Sequence, residues 1–284
     1  MDSLTTDEIR RAVQAALAED IGAGDVTTLA TVPETISFRA AMVAREPLVL
    51  AGIAFARAAF EELSASVRIE QQVQDGAAAA AGSTLMSVSG PAHAILTAER
   101  VALNFVQRLS GVASLTAAYV EAVKLTSAQI LDTRKTTPGW RHFEKYAVSC
   151  GGGRNHRAGL FDLVLIKDNH LAALAGEKPN PIAAAIQRAR ARYPQLRVEV
   201  EADHLEQVAQ AVEAGADIIL LDNMSPALLR DAVRLVAGRA KTEASGGVNL
   251  QTVRAIAETG VNFISVGALT HSARAVDIAL DFEL

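Results

Sequence analysis

The stretch Arg197-Val-Glu-Val-Glu-Ala-Asp-His-Leu-Glu-Gln-Val-Ala-Gln-Ala-Val-Glu-Ala-Gly-Ala-Asp-Ile-Ile-Leu-Leu-Asp222 decides the fold. It reads as strand, helix, strand: Arg197–Glu201, an amphipathic segment over Leu205–Ala214, then Asp217–Asp222. The rhythm continues through strands at Lys241–Ser245 and Asn262–Val266, with helices over Ala227–Ala237 and Leu250–Thr259. From Arg197 the strands recur about every 21 to 23 residues, the pitch of repeated βα units. Upstream lie strands at Gln129–Asp132 and Leu163–Lys167 and a helix over Ile182–Tyr193. Such alternation predicts a parallel sheet, either doubly wound or closed as a barrel. Polar residues or glycines end nearly every strand: Arg134-Lys135, Lys167, Glu201, Asp222, Ser245-Gly246-Gly247 and Gly267. A doubly wound sheet concentrates function at one switch point, whereas a barrel gathers all its strand ends at one mouth. Many functional-looking ends favour the barrel.

The N-terminal part has a different grammar. Thr5 and Glu8 have capping-box spacing ahead of a helix carrying Ile9, Val13, Ala16 and Leu17, and Asp20–Thr28 reads as a loop. Short strands follow at Phe38–Ala44, Val67–Val73 and Thr84–Ser89, with a helix near Phe55–Leu63. A long helix is expected over Ala92–Leu125, broken at Gly111, with Arg100, Asn104 and Arg108 on its polar face. Residues 1–110 are thus expected to form an α/β domain and 111–275 the barrel.

The chain has 284 residues, half of them apolar and 21% charged, which excludes a disordered protein. Its one cysteine, Cys150, cannot form an internal disulfide, so a reducing cytoplasm is the expected compartment. Neither a signal pattern nor a membrane-length apolar run is read. Between Arg134 and His170 stand seven Lys or Arg against three acids, a window of +4 in a chain of −5. A cationic island in an acidic chain points to small carboxylates or phosphates rather than to nucleic acid.

Arg134-Lys135, framed by Thr133, Thr136, Thr137 and Pro138-Gly139, is either a solvated loop or the wall of an anion pocket. Lys167 closes the apolar run Leu163–Ile166 and either snorkels outward or enters the site. In Gly151-Gly-Gly-Arg-Asn-His-Arg157, glycines precede the donors Arg154, His156 and Arg157, the last a bidentate fork for a carboxylate. Glu201 and Asp222 are either acids neutralised by a barrel lysine or a pair that binds ribose hydroxyls or a divalent ion. The six histidines lack zinc spacing, and Cys150 is a packed thiol with no base beside it.

Several strings carry a resemblance across nearly the whole chain. They are Glu19-Asp-Ile-Gly-Ala-Gly-Asp-Val-Thr-Thr28, Ala98-Glu99-Arg100, Leu109-Ser-Gly-Val-Ala113, Asp132-Thr-Arg-Lys-Thr-Thr-Pro-Gly139, Gly151–Arg157, Leu221-Asp-Asn223, Glu243-Ala-Ser-Gly-Gly247 and Val266–Ser272. With them the sequence resembles the quinolinate phosphoribosyltransferase family. The resemblance implies an N-terminal α/β sandwich joined to an open α/β barrel, a homodimer with shared active sites, and a C-terminal helix over 276–284 packing back on the N-terminal domain. It implies transfer from 5-phosphoribosyl-1-pyrophosphate to quinolinate with Mg²⁺, yielding nicotinate mononucleotide, CO₂ and pyrophosphate for NAD biosynthesis. The implied quinolinate pocket is Arg134, His156, Arg157 and Lys167, with Arg100 reaching in from the partner subunit. The implied sugar-phosphate side is Lys135, Glu201, Asp222, Ser245, Gly246, Gly267 and His271, and Glu201 and Asp222 also serve Mg²⁺, directly or through water. Lys135, Lys167, Glu201 and Asp222 are the expected catalytic set. The rivals are a Schiff-base barrel enzyme using Lys167, a sister enzyme of the same fold, and a non-catalytic binding protein.

Overall fold

The structure, a computed structural model, describes residues 4–283. In chain order its elements are α1 (Thr6–Ile21), α2 (Val26–Thr31), β1 (Ser37–Ala44), β2 (Leu48–Val49), α3 (Ile53–Leu63), β3 (Arg68–Gln71), β4 (Ala78–Ala79), β5 (Thr84–Pro91) and α4 (Ala92–Ala122). There follow β6 (Gln129–Leu131), α5 (Arg141–Cys150), β7 (Val164–Ile166), α6 (Asp168–Ala172), α7 (Pro181–Arg192), β8 (Val198–Ala202), α8 (Leu205–Glu213) and β9 (Ile218–Asp222). The chain closes with α9 (Pro226–Val236), β10 (Lys241–Ser245), α10 (Val253–Ala257), β11 (Phe263–Ser265), α11 (Ala268–His271) and β12 (Ile278–Glu283). They fall into two compact units, one taking the chain up to Ala117, Thr137–Gly152 and the stretch from Ser272, the other Ala118–Thr136 and Gly153–His271.

In the first unit an antiparallel sheet runs β12-β1-β5-β3. Alternation in β1 buries Ala40, Met42 and Ala44, while α3 buries Ile53, Phe55, Ala56, Ala59 and Phe60. Thr5 and Glu8 form the expected capping box. The loop read over Asp20–Thr28 ends sooner than expected, because Asp25 accepts the Thr28 N–H at 3.0 Å and starts α2 at Val26.

The compact unit that holds residues 1–110 reaches Ala117 and takes in residues 137–152. Buried Glu144 explains why: it accepts from Arg108 at 2.7 Å, from the Thr137 N–H at 3.0 Å and from the Thr137 hydroxyl at 2.9 Å. Phe55 stacks on Phe105, which stacks on Trp140 at 5.0 Å, adding aromatic packing to the same tether.

Two expectations fail here. The segment expected as a C-terminal helix is the strand β12, antiparallel to β1 with Ala44 opposite Ile278. Ile278 and Leu280 are buried while Ala279 and Asp281 are partly exposed, a period of two that no helix supports. Nor does Gly111 break α4, which passes through it unbroken. A Cβ at Gly111 would stand 2.0 Å from the Arg274 carbonyl oxygen, so the glycine serves close backbone approach.

The second unit is a six-stranded parallel sheet in the order β6-β11-β10-β9-β8-β7. That is the cyclic order of a barrel opened between β6 and β7, so the sheet does not close. Arg154 bridges to Leu131 at the β6 edge, donating to the Ile130 carbonyl at 2.8 Å and accepting from the Asp132 N–H at 3.1 Å. Helices α7, α8 and α9 match expectation to within a residue or two, whereas the helix expected over Leu250–Thr259 shrinks to α10. There Asn249 accepts from the N–H groups of Gln251 and Thr252, a local turn that delays the helix. Among the described residues no helix is long and apolar enough to cross a membrane.

Gly111→Ala is expected to lower unfolding free energy by about 2 kcal/mol or more, since backbone must move to admit the methyl group. Gly176→Ala is the control, because no heavy atom lies within 4 Å of its added Cβ. Equal urea midpoints for the two variants would show that α4 does not need the glycine.

Candidate active site

The carboxyl ends of the parallel strands enclose a cavity of about 560 Å³ in the second unit. Nine of the expected site residues line it: Arg134, Lys135, His156, Arg157, Lys167, Glu201, Asp222, Ser245 and Gly246. Strand direction explains the convergence, since the register sets Ser245 beside Asp222 on β10 and β9. Gly267 and His271 sit at the edge of this group. A Cβ on Gly267 would fall 3.0 Å from Lys135 Cδ and 3.1 Å from His271 Nε2, so these three residues crowd together. The Thr270 hydroxyl donates to the Lys135 carbonyl at 2.7 Å and holds the loop there. Arg100 is elsewhere: it is exposed on α4, beside a recess in the first unit lined also by Asp20, Asp25 and Thr97.

Charge is divided within the cavity. Among the described residues, Arg134, Lys135 and Arg157 have no carboxylate within ion-pair distance, and the Arg134 Nε is buried without a hydrogen-bond partner. Burial, and then the neighbouring Arg134 charge, pulls Arg157 below the usual guanidinium range. Lys167 Nζ stands 2.9 Å from Glu201. Burial first and the Glu201 charge second raise the Asp222 carboxyl. Gly246 adopts φ +94°, and a Cβ there would fall 2.1 Å from Asn223 Oδ1, which only a glycine tolerates.

Beneath the cations lies a group that motif reading passed over. Glu199 and Glu243 are 0% and 1% exposed, and their oxygens meet no donor in good hydrogen-bond geometry. His156 Nε2 lies 3.0 Å from Glu199 and 3.5 Å from Glu243. Burial, and then Glu199, raises the Glu243 carboxyl. Asp132, fully buried, accepts the His156 N–H at 2.9 Å and the Asn155 amide at 2.6 Å. The signal was present: Glu199 and Glu201 are two apart on β8, as are Glu243 and Ser245 on β10, so each pair faces one side of its strand.

Comparison with known proteins agrees with this geometry. A family model described as "Quinolinate phosphoribosyl transferase, C-terminal domain" matches residues 112–281, and its N-terminal counterpart matches 25–110. The chain belongs to the quinolinate phosphoribosyltransferase family. It is 44% identical to a carboxylating nicotinate-nucleotide pyrophosphorylase of Arabidopsis thaliana, over 98% of this chain and 84% of the relative. A Mycobacterium leprae protein of the same name is also 44% identical, with 97% of each chain covered. The crystal structure of NadC from Streptococcus pyogenes superposes with a TM-score of 0.94 at 40% identity, covering 100% of both chains. Membership in the family accords with the open parallel sheet and the sheet-containing first unit described above.

Cys150 ends α5 in the first unit, outside this cavity. Burial, then the Asp75 charge, pushes its thiol up to about 11. At pH 8 iodoacetamide should therefore alkylate it roughly a hundredfold more slowly than a thiol at the ordinary value, until the protein unfolds. Labelling of the native protein at the free-thiol rate would contradict that burial.

Proposed function

We propose that this family member transfers the phosphoribosyl group of 5-phosphoribosyl-1-pyrophosphate to the ring nitrogen of quinolinate and releases CO₂ and pyrophosphate. The product is nicotinate mononucleotide, made for NAD biosynthesis. One observation carries the reading: Arg134 and Arg157 are neighbouring guanidiniums without carboxylate partners in a cavity at the strand ends. Two such cations cost repulsion when the cavity is empty and match a flat dicarboxylate when it is full. At about 4 Å and an effective dielectric near 20, each contact is worth roughly 4 kcal/mol before desolvation.

In this reading Arg134, Arg157, His156 and Lys167 surround quinolinate. Lys135, Ser245, Gly246, Gly267 and His271 receive the sugar phosphates, and Glu201 and Asp222 meet ribose hydroxyls. Glu201 and Asp222 also form an oxygen pair close enough for one charge to raise the other, a donor set suited to Mg²⁺. Bound there, Mg²⁺ would supply charge stabilisation to the pyrophosphate. Lys135 adds its own charge on the leaving group. Attack by the ring nitrogen makes a pyridinium, whose positive charge stabilises the electron pair left on the neighbouring ring carbon when its carboxylate departs as CO₂, and a proton from solvent then bonds to that carbon. The protein contributes placement and field more than strong acid or base. It must not clamp the departing carboxylate too firmly, since ground-state stabilisation would slow its loss.

A Schiff-base reading of Lys167 is disfavoured by its ion pair with Glu201 and its half-exposed side chain, unlike the desolvated amine that chemistry needs. A chain with a single cysteine suits a reducing cytoplasm, where we place it. Arg100, exposed on the first unit, is assigned to the pocket of a partner subunit in a homodimer.

Turnover assays with Mg²⁺ should give nicotinate mononucleotide from quinolinate and none from nicotinate; the reverse would overturn the dicarboxylate pocket. Arg157→Ala should raise the KM for quinolinate far more than that for the sugar donor. At a quinolinate concentration too low for either variant to turn over alone, mixing Arg100→Ala and Arg157→Ala subunits should restore about a quarter of wild-type activity, because half the dimers are mixed and each then has one intact site. No recovery on mixing, with subunit exchange verified, would remove Arg100 from a shared site.

A further inference from the structure

The buried group under the cations bears on how the pocket recognises its guest. Backbone N–H groups only donate, and the Arg157 N–H meets His156 Nδ1 at 2.7 Å. Nδ1 must therefore hold a lone pair, and in a neutral imidazole the proton then sits on Nε2. The other side of the ring agrees, since Nε2 faces the carboxylates of Glu199 at 3.0 Å and Glu243 at 3.5 Å. A lone pair there would confront the nearer carboxylate, Glu199, which only accepts. Asp132 pins the backbone beneath through the His156 N–H and the Asn155 amide, so the ring is located from three directions.

The same logic decides against a metal, although His156, Glu199 and Glu243 have ligand atoms within 4.8 Å of one another. A cation on Nε2 would need the proton on Nδ1, where it would point at the Arg157 N–H, donor against donor. Glu199 has a second effect: its charge raises Arg157, opposing the repulsion from Arg134.

Resting on the function proposed above, we infer that Glu199 and Glu243 are positioning residues, which lock His156 as the Nε2–H tautomer with both ring nitrogens held by protein. The imidazole then meets the guest with its ring and C–H edge, and the carboxylates are left to Arg134, Arg157 and Lys167. Selection for a planar aromatic diacid is thus split between a shaping ring and separate cationic forks.

Long-range ¹H–¹⁵N correlation on the full-length protein labelled at histidine tests this without any substrate, with His156 assigned through His156→Gln. The expected result is unprotonated Nδ1 and protonated Nε2, unchanged when quinolinate is added. A doubly protonated ring, the opposite tautomer, or a tautomer change on binding would overturn the inference. In Glu199→Gln and Glu243→Gln the Nε2 proton loses a charged acceptor, and the His156 ring ¹⁵N and ¹H shifts should move. The quinolinate Kd should rise roughly tenfold to a hundredfold, with the KM for the sugar donor unchanged. Glu199→Asp should recover part of the loss. Folded variants with wild-type spectra and wild-type quinolinate affinity would also overturn it. Should the variants fail to fold, the wild-type spectrum decides alone. Should the wild-type protein bind no quinolinate while showing the expected tautomer, the function is misassigned and the lock stands.

Discussion

A parallel strand delivers its carboxyl end to one side of the sheet only, and six parallel strands in cyclic order deliver six such ends to one mouth. Everything chemical in the second unit follows from that constraint. Lys167, Asp222 and Ser245 each close or follow a strand, and Glu201 lies one residue from the end of its own. Residues far apart in sequence thereby share one cavity without a dedicated scaffold for each. The walls need only be aliphatic, which accords with a chain that is half apolar and poor in aromatics.

Electrostatics then divides the cavity by depth. Among the described residues, guanidiniums with no carboxylate at ion-pair distance line the cavity, where a guest can neutralise them, and the two acids Glu199 and Glu243 lie fully buried. Burying charge is costly unless something answers it. Here His156 answers from between the layers, and Asp132 anchors the loop that carries it. The arrangement sets cations facing the open cavity and keeps the counter-charge of Glu199 fully buried.

Strand ends, helices α7 to α9 and most pocket residues were legible because each depends on local pattern: apolar runs, three- and four-residue spacing, and polar residues at fixed places. What stayed hidden depends on contact between distant segments. Gly111 looks like a helix breaker until the Arg274 carbonyl comes against it. Glu144 looks like an ordinary surface acid, yet with Arg108 and Thr137 it carries residues 137–152 into the first unit. Glu199 and Glu243 were readable in principle from their two-residue spacing to Glu201 and Ser245, but no motif drew attention to them. The final segment is a helix by resemblance alone, whereas its plain alternation of Ile278, Leu280 and Phe282 with Ala279, Asp281 and Glu283 has the period of a strand.

That last strand has a bearing on how the protein is made. β12 lies along β1, one of the first strands to leave the ribosome, and the Phe38 and Phe282 rings meet edge to face. The edge of β1 stays unpaired throughout synthesis of the whole second unit, a bare row of amides and carbonyls of the kind that recruits wrong neighbours. Sealing it waits until β12 has been made. A chain lacking β12 would keep every other strand of the sheet and yet carry an open flank, so protection against sticking is written into that one short strand.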